Sequence, residues 1–348
     1  MKTSLMTGAL PLGDVAAFSR RSAEAGFAGM VVTEAGRTAY LTCAAAALGG
    51  ADLDLATGIA VAFPRSPMVT AATAWELADV TRGRFRLGLG PQVRAHIERR
   101  YASAFDPPGP RLRDYVLALR AIFRAFRGEE PLSFEGRYYS LSLLPAMWSP
   151  GPIEAPDPPI DIAAVNPWML RMAAEVADGV HVHPLNTPAY YGQTLLPNVA
   201  AGVERSGRDP GSFVLFVPLF TVVGESEQER AKWRQACRTM VAFYGSTPNY
   251  AFIFDQLGHP GTTERLRAAQ KQRDMAAMAS AVPDEVLAHF VVEGTWDELP
   301  EKVAQRCAGL RPYDVRPVLY LAGTAARDTD GSFERFGAVA RALGAMAG

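Results

Sequence analysis

The sequence predicts a closed (β/α)₈ barrel, the TIM-barrel class, with a helical insertion between its seventh and eighth strands. Three observations carry this reading. Short apolar or β-branched runs alternate with longer segments of helical spacing, the pattern of repeated βα units. Eight such runs occur, the number at which a parallel barrel closes, whereas an open sheet has no preferred count. Finally, no Gly/Ser linker and no repeat of solenoid length divides the 348 residues, so one domain over 1–348 is the simplest organisation.

The elements follow in order. Thr3 to Thr7 forms a strand, Gly8 and Pro11 mark a loop, and Asp14 to Ala25 is an amphipathic helix stopped by Gly26. Gly29 to Thr33 is the second strand, with an Ala-rich helix at Thr42 to Leu48. Leu53 to Ala60 is the third, and Pro67, tolerated at a helix start, opens a helix to Thr81. Phe85 to Leu89 is the fourth strand, and Arg94 to Arg127 is helical with an interruption at Asp106 to Pro110. An inserted hairpin and Pro-rich loop occupies about 131–158, its hairpin spanning Leu132 to Ser140 around Gly136. Strands at Ile160 to Ala163 and Gly179 to Val182 flank the helix Pro167 to Ala177, and Pro188 to Ser206 is the next helix. Val214 to Val223 is the seventh strand and Val315 to Leu321 the eighth, before a terminal helix from Ser332 to Met346. Between them, about 225–290 reads as a lid of four helices: Glu225 to Phe243, Pro248 to Leu257, Thr262 to Gln272 and Pro283 to Phe290.

Composition narrows the function. A net charge of −1 lacks the Lys and Arg excess expected of a protein that binds nucleic acid or anionic lipid, which points to a small-molecule substrate. Three cysteines, Cys43, Cys237 and Cys307, have no metal-ligand spacing and suit a reducing cytoplasm. The N-terminal stretch has no apolar run of signal-peptide length before its Pro and Asp, and no uninterrupted apolar stretch reaches the length of a bilayer span. No nucleophile elbow, His-Glu-x-x-His or Asp-rich loop is present, so no metal is expected.

In a (β/α)₈ barrel the active site lies at the C-terminal strand ends. Here those ends are poor in acids and nucleophiles and rich in small residues, which suits a bound organic cofactor that supplies the reactivity. Gly88-Leu89-Gly90 either brings backbone close to a ligand or makes a tight turn. Ala164, Val165 and Asn166 precede a helix and form either an anion seat or an ordinary N-cap. His181 and His183 share one strand face: inward, they are a proton-donating pair at the mouth; outward, they pack against helices. Arg94, His96, Arg99 and Arg100 make either a cradle for anionic groups or a solvated face. Phe63, Trp168, Tyr250 and Phe252 are mouth or core aromatics, and the Ala-rich second helix packs within the monomer or across a homodimer.

Three stretches carry a family resemblance: Thr57 to Tyr101 (TGIAVAFPRSPMVTAATAWELADVTRGRFRLGLGPQVRAHIERRY), Ile160 to Val180 (IDIAAVNPWMLRMAAEVADGV) and His289 to Val303 (HFVVEGTWDELPEKV). The chain resembles the bacterial luciferase-like monooxygenase superfamily, and within it the F420-dependent oxidoreductases. The resemblance implies a deazaflavin or flavin at the barrel mouth and a non-prolyl cis peptide in the third strand at Gly58–Ile59. It places the family's strand-two acid on Glu34, cofactor contacts on Gly90, Pro91, Gln92 and Val93, and a phosphate seat on Ala164, Val165 and Asn166. It also implies a homodimer. The chain departs from the sugar-phosphate and alcohol dehydrogenases of the family, with Ala35 in place of a His, and Gln92 and Val93 in place of a Glu. The expected activity is F420-dependent hydride transfer to or from a small organic substrate, with Glu34, His181 and His183 as candidate proton-handling groups. FMN-dependent monooxygenation and a non-catalytic cofactor-binding barrel are the alternatives. Arg37, Arg65, Arg94 and Arg99 are expected to line the mouth for an anionic cofactor tail.

Overall fold

The computed structural model describes residues 1–321 and 331–346. Eight parallel strands make the barrel: β1 (Ser4–Gly8), β2 (Gly29–Thr33), β3 (Asp54–Thr57), β4 (Phe85–Gly90), β5 (Ile160–Ala164), β6 (Gly179–Val182), β7 (Val214–Val223) and β8 (Asp314–Tyr320). Each pairs with the next, and β8 returns to β1 with Ser4 opposite Val318, so the sheet closes. Closure removes exposed sheet edges and divides the apolar side chains between two cores. Outward residues such as Leu5, Val32, Leu87, Ile162 and Val217 pack under the helices. Inward, Met6, Val31, Ala56, Val214, Phe216 and Val318 fill the barrel.

The interior is layered. Near the N-terminal strand ends, Arg86 makes a bidentate pair with the fully buried Asp161, at 2.8 and 2.6 Å. One layer higher, His181 stacks on Phe216 with ring centroids 4.6 Å apart. Gly88 lies beside it and has no room for a side chain. A Cβ there would meet Thr57 O at 1.9 Å and His181 Nε2 at 2.5 Å. This glycine serves internal packing, so of the two readings of Gly88-Leu89-Gly90 neither describes its first residue.

The helix stops and starts follow local chemistry. Gly26 takes a left-handed φ of 111° to end the helix Leu12–Ala25, a conformation open to glycine at little cost. Ser66 caps Pro67–Val80 by accepting from Val69 N, and Asn166 caps Pro167–Val176 by accepting from Met169 N.

Three expectations need correction. The third strand does not run unbroken from Leu53 to Ala60. Gly58 N still bonds Val32 O, but the Gly58–Ile59 peptide is cis and the chain leaves the ladder. It rejoins as Ala60–Val61, now paired with Leu89 and Gly90 of β4. Second, the insertion over about 225–290 is helical as expected, but an unexpected strand follows it. Helices Glu227–Gly245, Ala251–Gln256, Thr262–Gln272, Met275–Ser280 and Asp284–Leu287 are followed by a strand, Val291–Gly294, which pairs in parallel with Phe220 to Val223 of β7, and by the helix Leu299–Ala308. The extra length of β7 beyond its pairing with β8 is what this strand covers. Third, Pro188 to Ser206 contains a π-helical turn at Tyr191–Leu195. Among the described residues no helix is long and apolar enough to cross a membrane.

Replacing Gly88 with Ala is expected to lower unfolding free energy by roughly 2–3 kcal/mol, because both near neighbours are fixed in the sheet interior. Urea unfolding of the two proteins measures this; an unchanged midpoint would contradict the packing account.

Candidate active site

Strand parity carries the interior pattern up to the C-terminal mouth. Inward positions two residues beyond Met6, Ala56, Gly88, His181 and Val318 are Gly8, Gly58, Gly90, His183 and Tyr320. They divide the mouth into two arcs of different chemistry.

Along β3 to β5 the arc is small and apolar. Gly90 is buried because Ile59 lies over it: a Cβ on Gly90 would fall 2.8 Å from Ile59 Cδ1 and 3.4 Å from the Ala163 methyl. Gly58 and Ile59 themselves remain partly exposed. The bulge therefore offers an accessible apolar floor, and Gly90 supports it from below.

Glu34 holds that bulge. It follows β2 directly and its side chain is almost fully buried. Oε2 accepts from Val61 N at 2.7 Å and from Arg65 Nη1 at 3.0 Å, while Oε1 accepts from Arg65 Nη2 at 2.5 Å. Arg65 Nη1 also donates to Val61 O at 2.9 Å, so the ion pair grips both backbone groups of one residue. The Arg65 guanidinium lies over the Tyr40 ring, 5.0 Å from its centroid. With both oxygens engaged by Val61 N and Arg65, Glu34 is placed to position the floor.

Along β6 to β8 the arc is aromatic and polar. His183, Tyr244, Tyr250 and Tyr320 are all partly exposed there. The imidazole of His183 packs against Tyr244 at 4.9 Å and Tyr250 at 4.3 Å between centroids. Its Nδ1 accepts from Leu185 N at 3.0 Å, which fixes the neutral tautomer with the hydrogen on Nε2. Surrounding protein depresses its pKa to about 3, although the ring edge still reaches the mouth. His181 faces inward too but does not reach the mouth. It is buried, both ring nitrogens lack partners, and burial lowers its pKa to about 4, with Asp161 opposing and Arg86 adding to the effect. The expected proton-donating pair is thus one mouth residue and one interior residue.

The remaining predicted positions lie at the rim. Asn166 accepts from Met169 N at 3.0 Å, Pro167 has no N–H and Leu170 N bonds Asn166 O, so Trp168 N–H is the first-turn donor left beside Ala164 and Val165. Tyr190 donates to Val165 O at 2.9 Å. Gln92 has a positive φ of 57° and its Oε1 accepts from Val93 N, which turns the side chain back on its own loop. Arg94 pairs with Glu98 and Asp106, and Arg65 with Glu34, so these two are neutralised within the protein. Arg37 and Arg99 are exposed and have no ion pair among the described residues. Tyr244 and Tyr320 were not expected in the site. The inward parity of the eighth strand could have found Tyr320; nothing in the sequence around Tyr244 marks it. A surface cleft of about 380 Å³ beside Met1, Gly26 and Arg341 lies at the opposite end of the barrel, away from all of these groups.

The closed parallel barrel, with an apolar bulge and a polar aromatic wall at its mouth, is of the TIM-barrel class. The chain belongs to the luciferase-like monooxygenase family, whose model matches residues 2–310. It is 37% identical over 285 residues to the uncharacterized protein Rv1360 of Mycobacterium tuberculosis, covering 82% of this chain and 84% of that one. Its fold is similar to that of the coenzyme F420 dependent tetrahydromethanopterin reductase of Methanopyrus kandleri, with a TM-score of 0.77 at 19% identity over 97% of both chains. It is also similar to the FMN complex of the oxygenating constituent of 3,6-diketocamphane monooxygenase from Pseudomonas putida, with a TM-score of 0.65 at 15% identity over 99% and 97% of the two chains.

Two outcomes follow. Glu34→Gln leaves Arg65 without its counter-charge against the bulge and is expected to cost roughly 3–5 kcal/mol in chemical denaturation, the range for breaking a buried pair. The pH dependence follows from the histidines. A pKa below the ordinary value means that the unfolded chain binds more protons between pH 6.5 and about 4, so native stability is complete above 6.5 and declines as pH falls. Replacing His181 with Asn is expected to remove roughly 2 kcal/mol of that decline between pH 7 and 4.5, read from urea unfolding at each pH. An unchanged slope would contradict the buried neutral imidazole.

Proposed function

We propose that this protein is an F420-dependent oxidoreductase that transfers a hydride between the deazaflavin and a small organic substrate. The observation that carries the proposal is the divided mouth. It has an accessible apolar floor at Gly58 and Ile59 facing a wall with a tautomer-fixed N–H donor, and Glu34, the acid beside it, is fully engaged. A site so furnished needs a bound organic group for its reactivity. When bound, the deazaflavin supplies a two-electron hydride at its C5.

The residues fit such a group. Ile59, backed by Gly90 and Ala163, gives a flat ring an apolar surface to rest on. Trp168 N–H at the helix start, with Ala164, Val165 and the loop of Gln92 and Val93, would hold the phosphate. Arg37 and Arg99 are the exposed cations that would meet an anionic tail. The chain's own chemical task is to hold the ring, exclude water and donate a hydrogen bond from His183 Nε2–H to an acceptor on the substrate. We further propose a homodimer: Leu41 and Leu48 stay exposed on the helix Ala39–Leu48, as do Val69 and Val80 on the next, although Cys43 and Ala46 pack inward.

A titration with each purified cofactor tests the assignment. F420 is expected to bind at one site per chain, FMN at least about ten-fold more weakly, and Ile59→Gly to weaken F420 roughly five- to ten-fold through lost apolar contact. Tight FMN binding without F420 binding would overturn the assignment in favour of flavin monooxygenation.

A further inference from the structure

We propose that the Tyr244–Tyr320 hydroxyl pair and His183 Nε2–H form a donor subsite for the oxygen of an uncharged carbonyl compound, and that flat, conjugated carbonyls are the substrate class of this mouth. The proposal rests on the F420 reading for its reaction but not for its binding chemistry.

Tyr320 ends β8, and Tyr244 arrives from the last turn of the inserted helix Glu227–Gly245. Their hydroxyl oxygens lie 3.1 Å apart. A hydroxyl carries one hydrogen, so the pair consumes one O–H internally and presents the other outward. His183 presents the second donor, since its Nδ1 is occupied by Leu185 N–H and its ring packs at a right angle to Tyr244. A hydroxyl hydrogen and an imidazole N–H on adjoining, partly exposed side chains, with no cation or carboxylate among them, complement an atom with two lone pairs and no full charge. A carbonyl oxygen is such an atom, and the same donors would stabilise negative charge that develops on it. A carboxylate would be better matched by a cation, and an alcohol would use a phenol oxygen as acceptor, whereas a carbonyl oxygen uses both donors. Burial raises the pKa of both phenols, which keeps them protonated as donors. The flanking rings suit a planar body: Phe220 stacks beneath Tyr320 with centroids 5.2 Å apart, and Tyr250 closes the other side against His183.

The probe is 4-(dimethylamino)cinnamaldehyde, whose absorption band moves to the red when its carbonyl oxygen is polarised. It is titrated into the full chain with and without oxidised F420. The expected result is a saturable red shift, weaker affinity by about three- to ten-fold in Tyr244→Phe and in Tyr320→Phe, and a lost shift in the double variant. The carboxylate analogue, 4-(dimethylamino)cinnamate, is expected to bind at least about ten-fold more weakly. Circular dichroism confirms that each variant is folded, and His183→Phe provides an independent arm that should also reduce the shift. Absence of binding, a shift retained in the double variant, or equal binding of the carboxylate would overturn the subsite. A shift obtained without any F420 binding supports the subsite and sinks the cofactor assignment alone.

Discussion

The carboxylate of Glu34 is the constraint on which the mouth depends. It ties the end of β2 to the far side of the β3 bulge through Val61 N, and with Arg65 it fixes both polar groups of that residue. The chain between Thr57 and Ala60 leaves the sheet ladder, so its position is set from outside the ladder by this ion pair. From that placement follow the exposure of Ile59, the burial of Gly90 beneath it and the apolar arc of the mouth. A buried ion pair is a weak source of net stability, yet it specifies geometry well when both carboxylate oxygens are engaged, as here.

The interior below the mouth is organised to leave the top layer available. Arg86 and Asp161 fill the lowest layer, Phe216 and His181 the middle one, and Gly88 admits the imidazole by having no side chain of its own. Above them the inward positions on β1, β3 and β4 are all glycine, whereas β6 and β8 supply His183 and Tyr320. Polar side chains of the mouth are therefore concentrated on one arc, and the helical insertion completes that arc with Tyr244 and Tyr250.

Most of the barrel was legible because its signals are local. β2, β6 and β7 coincide with apolar runs bounded by Gly, Asp or Pro, and the helix starts at Pro67 and Pro167 follow from fixed φ and a capping side chain. What escaped depends on contacts distant in sequence. The family resemblance marked the bond at which β3 breaks, Gly58–Ile59, but not the tether that holds it, since Glu34 lies 27 residues from Val61. Val291–Gly294 is too short and mixed to read as a strand without the open edge of β7 that it covers. The Tyr244–Tyr320 pair joins residues 76 apart. Glu34 was found by its place at a strand end, but its function as a positioning group becomes visible only with both of its oxygens accounted for. His181 and His183 look equivalent in sequence, and one layer of barrel depth separates an interior ring from a donor at the mouth.

The central claim is that a tricyclic cofactor rests on the Gly58–Ile59 floor with its open face toward His183 and the tyrosines. A crystal structure of the protein with F420 tests it most directly. The account predicts the ring in van der Waals contact with Ile59 and the phosphate beside Trp168 N–H. Ring density outside the mouth, or on the tyrosine arc with Ile59 uncovered, would contradict it.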